Sequence, residues 1–198
     1  MAHRLRLDDV LMMVSCVCRV QAPLVCLLRT GSLGAQETSA GALLWLAESQ
    51  TNRVSIADAG AIPLLVSLLD GGSEEVKEQA AGALQMLVKN NLSNQKDIAE
   101  GLVELLATGS ASAQEHVTQL LKNLARDPEN RASIAKAGAV PELVRQLERG
   151  SPKAMGMAAQ GLALIALRSA EFRSVVTQER SPERSPECIR LLLISDRS

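Results

Sequence analysis

The chain has 198 residues, 46% of them hydrophobic, and 21 basic and 22 acidic side chains leave a formal net charge of −1. With one Trp, one Phe and no Tyr, a core must be built from Leu, Ala, Val and Ile, a mixture that favours helices over a β-sandwich or barrel. The basic residues are dispersed instead of forming the positive stripe that phosphate backbones require, so we expect no nucleic-acid partner.

The amino terminus carries basic residues followed by an apolar run at 10–20. A secretory signal looks similar, but Asp8 and Asp9 precede the apolar run and no clean cleavage site follows it. The run is also shorter than the roughly eighteen residues that cross a bilayer. We therefore expect residues 1–20 to form a capping or partial-repeat helix and the chain to have no membrane span.

The central sequence repeats itself. Residues 53–69, RVSIADAGAIPLLVSLL, and 131–147, RASIAKAGAVPELVRQL, agree at most positions. A third copy lies between them, with LVELL at 102–106, and a fourth lies upstream, with LVCLL at 24–28. Such periodicity is typical of stacked helical arrays, in which each repeat buries its apolar face against its neighbours. We expect four repeats across 15–168, within an array at 21–177.

Each repeat is predicted to contain a short helix, a second helix and a longer third helix. In the second repeat, Pro63 is predicted to lie in the first turn of the second helix and Ser73 to cap the third, whose apolar residues recur at helical spacing. Asp127 and Ser151 repeat the capping pattern, and the spacing from Ser112 to Glu115 predicts a capping box. The second helices are predicted to close at Gly31, Gly71, Gly109 and Gly150.

The third repeat is five residues short. Its deficit lies between Ile98 and Leu102, where the other copies carry the Ala-Gly-Ala-Ile/Val-Pro turn. The repeat pattern also stops near the carboxyl end. Residues 172–176 resemble the first helix of a fifth repeat, but a charged Ser-Pro segment follows instead of the rest of it. That segment cannot pack a core, so 178–198 is predicted to be a mostly disordered tail, with a tail helix docked onto the end of the array as the alternative. Ser181 and Ser185 fit proline-directed phosphorylation, although short Ser-Pro matches also occur by chance.

The second repeat, NRVSIADAGAIPLLVSLLDGGSEEVKEQAAGALQML, resembles the armadillo repeat. The likeness is carried by its N-R-x-x-I-x-x-A-G-A-I-P-L-L block and its E-x-A-x-x-A-L-x-x-L third helix; the fourth repeat matches well, the first and third partly. The resemblance implies an all-α fold, a right-handed superhelix of about four three-helix repeats. The third helices of such arrays line a concave groove that holds an extended peptide.

Importin alpha, within this family, clamps basic targets with Trp and Asn residues four positions apart on successive third helices. Mapped by register, the Trp positions here are Gly41, Gly82, Gln119 and Gln160, and the Asn positions are Trp45, Met86, Asn123 and Leu164. Only Asn123 matches. The resemblance therefore favours scaffold or plant U-box-type arrays over importin alpha. The predicted peptide groove consists of Trp45, Met86, Lys89, Gln119, Asn123, Arg126 and Gln160.

Trp45 is a natural interface anchor, with packing between repeats as the alternative. Asn123 could hold a peptide backbone through its amide, or be a solvated surface residue. Lys89 and Arg126 share a register position and could select charge, or form a solvated rim.

Catalytic motifs and metal-ligand spacings are absent from the sequence, so we expect no enzyme activity, no metal and no cofactor. The cysteines are interpreted as buried free thiols of a cytoplasmic, or alternatively nuclear, protein. The sequence predicts an adaptor for a protein or peptide partner, which could self-associate through its array ends. The alternatives are an accessory part of a ubiquitin-ligase system, an importin-alpha-like transport adaptor, and a structural fragment without its own partner.

Overall fold

A computed structural model describes residues 21–166 of the chain, and these are helices joined by short turns, with no strand among them. They fall into two compact units that divide between Asn94 and Gln95. We call these the N-terminal unit and the C-terminal unit. The helices are α1 (helical residues 21–30), α2 Leu33–Leu46, α3 Gln50–Asp58, α4 Ala61–Gly71, α5 Glu74–Val88, α6 Leu92–Thr108, α7 Ala111–Leu124, α8 Pro128–Lys136, α9 Ala139–Arg149 and α10 Pro152–Ala166.

In the N-terminal unit, α5 is the central helix. It packs against both α2 and α4, while the short helix α3 contacts all three. The apolar face predicted for α5 is confirmed, because each of its members is fully buried: Val76, Ala80, Ala83, Leu84 and Leu87. Facing them are Leu43 of α2, Ile56 of α3 and Leu65 of α4, which are also fully buried. The unit is held together by aliphatic burial, at roughly 25 cal/mol for each Å² of apolar surface.

The C-terminal unit repeats this plan with α10 as the central helix, which packs against α7, α8 and α9. The buried Ile134 of α8 takes the register position of Ile56, and the buried Leu143 of α9 takes that of Leu65. Gln146 stands where the second repeat has Leu68, and both side chains are buried. Equivalent sequence positions therefore occupy equivalent places in the two units.

The third helices begin at serine N-caps. Ser32, Ser73 and Ser110 each accept a hydrogen bond at Oγ from the backbone N–H three residues on. Ser151 caps α10 in the same way, through the N–H of Ala154 at 3.2 Å. The caps predicted at Ser73 and Ser151 are confirmed, whereas the capping box predicted at Ser112 is wrong. Ser112 lies inside α7, because the helix begins one residue after Ser110.

A glycine precedes each of these caps for a steric reason. A Cβ on Gly31, Gly72, Gly109 or Gly150 would lie 2.4–2.7 Å from the carbonyl oxygen four residues earlier. Gly72, and not the predicted Gly71, therefore occupies this position in the second repeat, since Gly71 is still helical. Gly60 and Gly138 have another function: they adopt left-handed φ angles of 79° and 86° at the turn before α4 and α9.

The third repeat differs from its neighbours. The second and fourth repeats have the expected three helices, α3 to α5 and α8 to α10. In the third repeat the first two helices are merged into the single 17-residue helix α6, because the five missing residues are the ones that make the left-handed turn elsewhere. The described part of this repeat therefore contains two helices, α6 and α7.

Several sequence predictions lie outside the described residues: the amino-terminal helix at 1–20, the start of a fifth repeat at 172–176, the tail at 178–198, and the phosphorylation of Ser181 and Ser185. Among the described residues the one cysteine, Cys26, is free and exposed, so the expectation of a buried thiol is wrong there. Between residues 21 and 166, no single helix has the length and apolar composition of a membrane span; α3 and α4 pass that test only together, bent by 79°.

Candidate functional site

An arginine clamp joins the ends of α2 and α5 in the N-terminal unit. The Arg53 side chain is buried and donates from Nε to the carbonyl of Ala47 at 2.7 Å and from Nη2 to that of Glu48 at 3.0 Å. Its Nη1 donates to the carbonyl of Lys89 at 2.9 Å. The last carbonyls of a helix have no partner within the helix and carry partial negative charge, so one guanidinium satisfies and neutralises both helix ends.

The C-terminal unit has the same device. Arg131 of α8 donates to the carbonyls of Ala125 and Arg126, at 2.7 and 3.2 Å, at the end of α7. A neighbouring asparagine assists in both units, because Asn52 donates to the carbonyl of Leu46 and Asn130 to that of Leu124. Each Asn-Arg pair therefore fixes the first helix of a repeat to the third helix of the repeat before it.

The predicted groove residues of the N-terminal unit lie on the adjacent helices α2 and α5, with Lys89 as the C-cap of α5. We call the exposed side of this pair, with Trp45, Met86 and Lys89, the N-terminal face. Trp45 is 72% exposed and Lys89 is exposed, whereas Met86 is half-buried. Packing of Trp45 between repeats, the alternative for this residue, is wrong, because most of its side chain is in contact with solvent. The N-terminal face therefore offers a large apolar side chain to solvent beside a lysine.

The glycines at the importin Trp positions of this face lie close to the neighbouring helix. A Cβ on Gly82 would lie 3.1 Å from Cδ2 of Leu44, and a Cβ on Gly41 would lie 3.3 Å from Oε1 of Gln79. The neighbouring helix thus fills the space that a side chain would need at these two positions. A Trp ladder of the importin type cannot be accommodated here without moving those neighbours.

The other predicted groove residues lie on α7 and α10 of the C-terminal unit, except Arg126, which lies two residues after the end of α7. We call the exposed side of this helix pair, with Arg126, the C-terminal face. Gln119, Arg126 and Gln160 are exposed and Asn123 is half-buried. This face is polar where the N-terminal face is apolar. The two helices approach closely, since a Cβ on Gly161 of α10 would lie 3.8 Å from Cα of Lys122.

Two features of the site were missed from the sequence. The Asn-Arg pairs were recognised as a repeat signature, but their bonds to helix-end carbonyls were not expected. Lys122 was also missed, although its spacing of three residues from Gln119 places both on one side of α7. That spacing was the signal that could have identified it. Within residues 21–166 no cluster of three His, Cys, Asp or Glu side chains could hold a metal ion.

Comparison with known proteins shows which proteins this chain resembles. The family model described as "Armadillo/beta-catenin-like repeat" matches residues 49–88. U-box domain-containing protein 8 of Arabidopsis thaliana is 30% identical over 125 residues, which is 61% of this chain and 33% of that protein. U-box domain-containing protein 1 of Medicago truncatula is 36% identical over 91 residues, 43% of this chain and 13% of that protein. The chain spans a third or less of these relatives.

Solved structures give the same fold. A designed armadillo repeat protein in complex with the peptide (KR)4 superimposes with a TM-score of 0.60 at 22% identity, covering 94% of this chain and 83% of that one. An engineered protein matches with a TM-score of 0.59 at 30% identity, covering 80% of this chain and 68% of that one. Family, relatives and structures agree with the sequence resemblance and confirm an all-α fold of the armadillo type.

Proposed function

We propose, on the premise that the chain belongs to the armadillo repeat family, that its N-terminal face and its C-terminal face each bind an extended segment of another protein. The family fold is that of a protein-interaction repeat module. The observation that carries the finer proposal is Trp45, 72% exposed on a third helix although the chain has only one Trp. Leaving an indole in water forgoes a large gain from burial, and a bound partner would recover it.

The remaining groove residues suit an extended main chain. Gln119, Asn123 and Gln160 each carry an amide with donors and an acceptor, which can pair with backbone C=O and N–H groups whatever the partner's side chains are. The Asn-Arg clamps support this function, because rigid helix ends reduce the ordering cost of binding. In the N-terminal unit, Arg53 bonds the carbonyls of both Glu48 and Lys89, the charged residues at the end of that face.

The proposal can be tested by selecting binders from a library of displayed random peptides and measuring their affinity for face variants. Trp45→Ala/Asn123→Ala removes one anchor from each face. The control Val54→Ala/Lys136→Ala truncates exposed residues of the first helices α3 and α8. We expect the face variant to weaken the selected peptides by about tenfold or more, since interface anchors typically contribute 2 kcal/mol or more.

Circular dichroism must first show that both variants are as helical as the wild type. If the selected peptides bind the face variant and the control variant equally well, whether or not both bind more weakly than the wild type, the binding surface lies away from the third helices. Failure to select any specific peptide would contradict a peptide-binding function.

A second candidate is a role in substrate recognition for a ubiquitin ligase. It is favoured by the curated relatives, which are U-box domain-containing proteins of plants. The armadillo array would then hold the protein that is to be modified. If so, adding the chain to a plant extract should raise the ubiquitination of a captured partner, and Trp45→Ala/Asn123→Ala should not. Unchanged ubiquitination with either protein would count against this candidate.

A further inference from the structure

We infer that the C-terminal face selects acidic segments, an inference that rests on the proposed function and names the chemistry of the partner. Four polar residues carry it: Gln119, Lys122 and Asn123 of α7, and Arg126, which lies two residues after the last residue of that helix. The spacing of three and four residues places the first three on one side of the helix, and Arg126 continues from its C-terminal end. Two of them are cationic, two are amides, and none is acidic. We call this set the α7 stripe.

The side chains of the α7 stripe are not used by the fold. Within residues 21–166 none of the four makes a hydrogen bond or ion pair through its side chain. Three other cations, by contrast, already have partners. Arg145 pairs with Glu142, and Arg53 and Arg131 donate hydrogen bonds to backbone carbonyls. Lys122 and Arg126 therefore keep their charge available for a ligand.

Two of the acidic groups near the α7 stripe have hydrogen-bond partners. Glu115, one turn before Gln119, accepts a hydrogen bond from Ser151 at 2.5 Å and lies 3.7 Å from Nζ of Lys153. At the other end, the Asp127 carboxylate accepts from the N–H of Glu129 as the cap of α8, and Glu129 is exposed. The partial negative charge at the end of α7 is offset by the Arg131 guanidinium. Neither cation of the α7 stripe has a carboxylate as ion-pair partner among residues 21–166.

The equivalent residues of the N-terminal unit have different chemistry. At α5 and the residue after it they are Gly82, Gln85, Met86 and Lys89, and at α2 and just after it they are Gly41, Leu44, Trp45 and Glu48. In α10 the positions of Gln119, Lys122 and Asn123 hold Gln160, Ala163 and Leu164. Among these sets of described residues, only the one at α7 combines two cations with two amides. The charge is therefore a property of this repeat and not of the fold.

An acidic extended segment matches this pattern. Carboxylates would accept charge-assisted hydrogen bonds from Lys122 and Arg126, while Gln119 and Asn123 pair with the main chain between them. A basic segment would meet two like charges, which disfavours binding. The occupant we infer is therefore a segment of another protein rich in Asp and Glu.

The test uses the full chain and a display library with equal shares of acidic, basic and neutral segments. We expect the selected peptides to be enriched in Asp and Glu. Replacing those acids by Asn and Gln in a selected peptide should weaken it by about tenfold to a hundredfold, the effect expected for hydrogen bonds to charged groups. The variant Lys122→Gln/Arg126→Gln should lose affinity to the same extent.

The matched control is Lys136→Gln/Arg149→Gln, which removes the same charge from exposed ends of α8 and α9. It should bind the acidic peptide as the wild type does. If both variants lose affinity for the acidic peptide equally, the effect comes from the overall charge of the protein and the inference is overturned. So would an oligonucleotide that competes as strongly as the peptide, because the stripe would then bind any polyanion.

The inference and the proposed function can fail separately. If basic or neutral peptides are selected and Trp45→Ala/Asn123→Ala weakens them, the faces bind peptides but the acidic preference is wrong. If no peptide of any charge is selected, both proposals fall together.

Discussion

Arg53 donates a hydrogen bond to the carbonyl oxygen of Lys89 at 2.9 Å, across 36 residues of sequence. The same guanidinium bonds the carbonyls of Ala47 and Glu48. One side chain of α3 thus ties the ends of α2 and α5, the two helices that form the N-terminal face. This geometry makes Arg53 a positioning residue for that face.

Arg53→Ala should destabilise the N-terminal unit. Three carbonyls would lose a charged donor, so we expect the free energy of unfolding to fall by at least about 2 kcal/mol. Arg53→Lys should recover only part of this loss, because one ammonium cannot reproduce the guanidinium fork. Urea unfolding measures the effect, and Arg29→Ala, at an exposed position of α1, is the control. A loss no larger than that of the control would show that the clamp contributes little.

The two adjacent glycines Gly71 and Gly72 should respond oppositely to alanine. A Cβ on Gly72 would lie 2.7 Å from the carbonyl oxygen of Leu68 and 2.8 Å from Cγ1 of Val76, whereas a Cβ on Gly71 meets nothing within 4 Å. We expect Gly72→Ala to cost about 1–3 kcal/mol. Gly71→Ala should be neutral or stabilising by up to about 1 kcal/mol, because Gly71 is helical. Thermal unfolding of the two variants compares them, and equal midpoints would contradict the steric account.

Trp45 should report directly on the N-terminal face, because it is the only Trp of the chain. At 72% exposure its fluorescence should be that of indole in water and be readily quenched by iodide. Binding of a selected peptide should shift the emission to shorter wavelength and protect it from the quencher. A blue-shifted, quencher-resistant emission in the free protein would show that the indole is covered.

Glu75, at the start of α5, should titrate below its ordinary range. Its pKa is lowered by a hydrogen bond from its own backbone N–H and then by one from the Ser73 hydroxyl. A lowered folded-state pKa means that the carboxylate stabilises the fold above its unfolded pKa, and that this contribution disappears as the pH falls through the folded pKa. Carbon-13 NMR titration should show the shift.

Two variants test the cause. Ser73→Ala should raise the pKa of Glu75, whereas Ser110→Ala, which removes the equivalent cap of α7, should leave it unchanged. An unaltered Glu75 pKa in Ser73→Ala would remove the hydroxyl as a cause.

Much of the fold could be predicted because helix signals are local. The cap at Ser73, the turn at Gly60 and the apolar face around Leu84 all depend on residues a few positions apart. The missing turn between Ile98 and Leu102 was also visible, although the sequence did not show that α6 would continue through it. Gln146 is buried at the register position that Leu68 has in the second repeat. A pattern of apolar residues could not predict this, because Gln is polar.

The site was harder to predict because its contacts are not local. Register placed Trp45, Gln119 and Arg126 on third helices, and the structure exposes all three, although Arg126 lies just after the end of α7. Register alone could not show which of them are unused by the fold. The bond from Arg53 to Lys89 joins residues a whole repeat apart, so no short pattern contains it. The engagement of Glu115 by Ser151 has the same origin.

Hydrogen exchange of the full chain, with and without a selected peptide, tests the central claim most directly. If the third helices bind the partner, backbone amides should become protected in α2, α5, α7 and α10, while the first helices α3 and α8 keep their exchange rates. Protection confined to α3 and α8, or none at saturating peptide, would contradict the account.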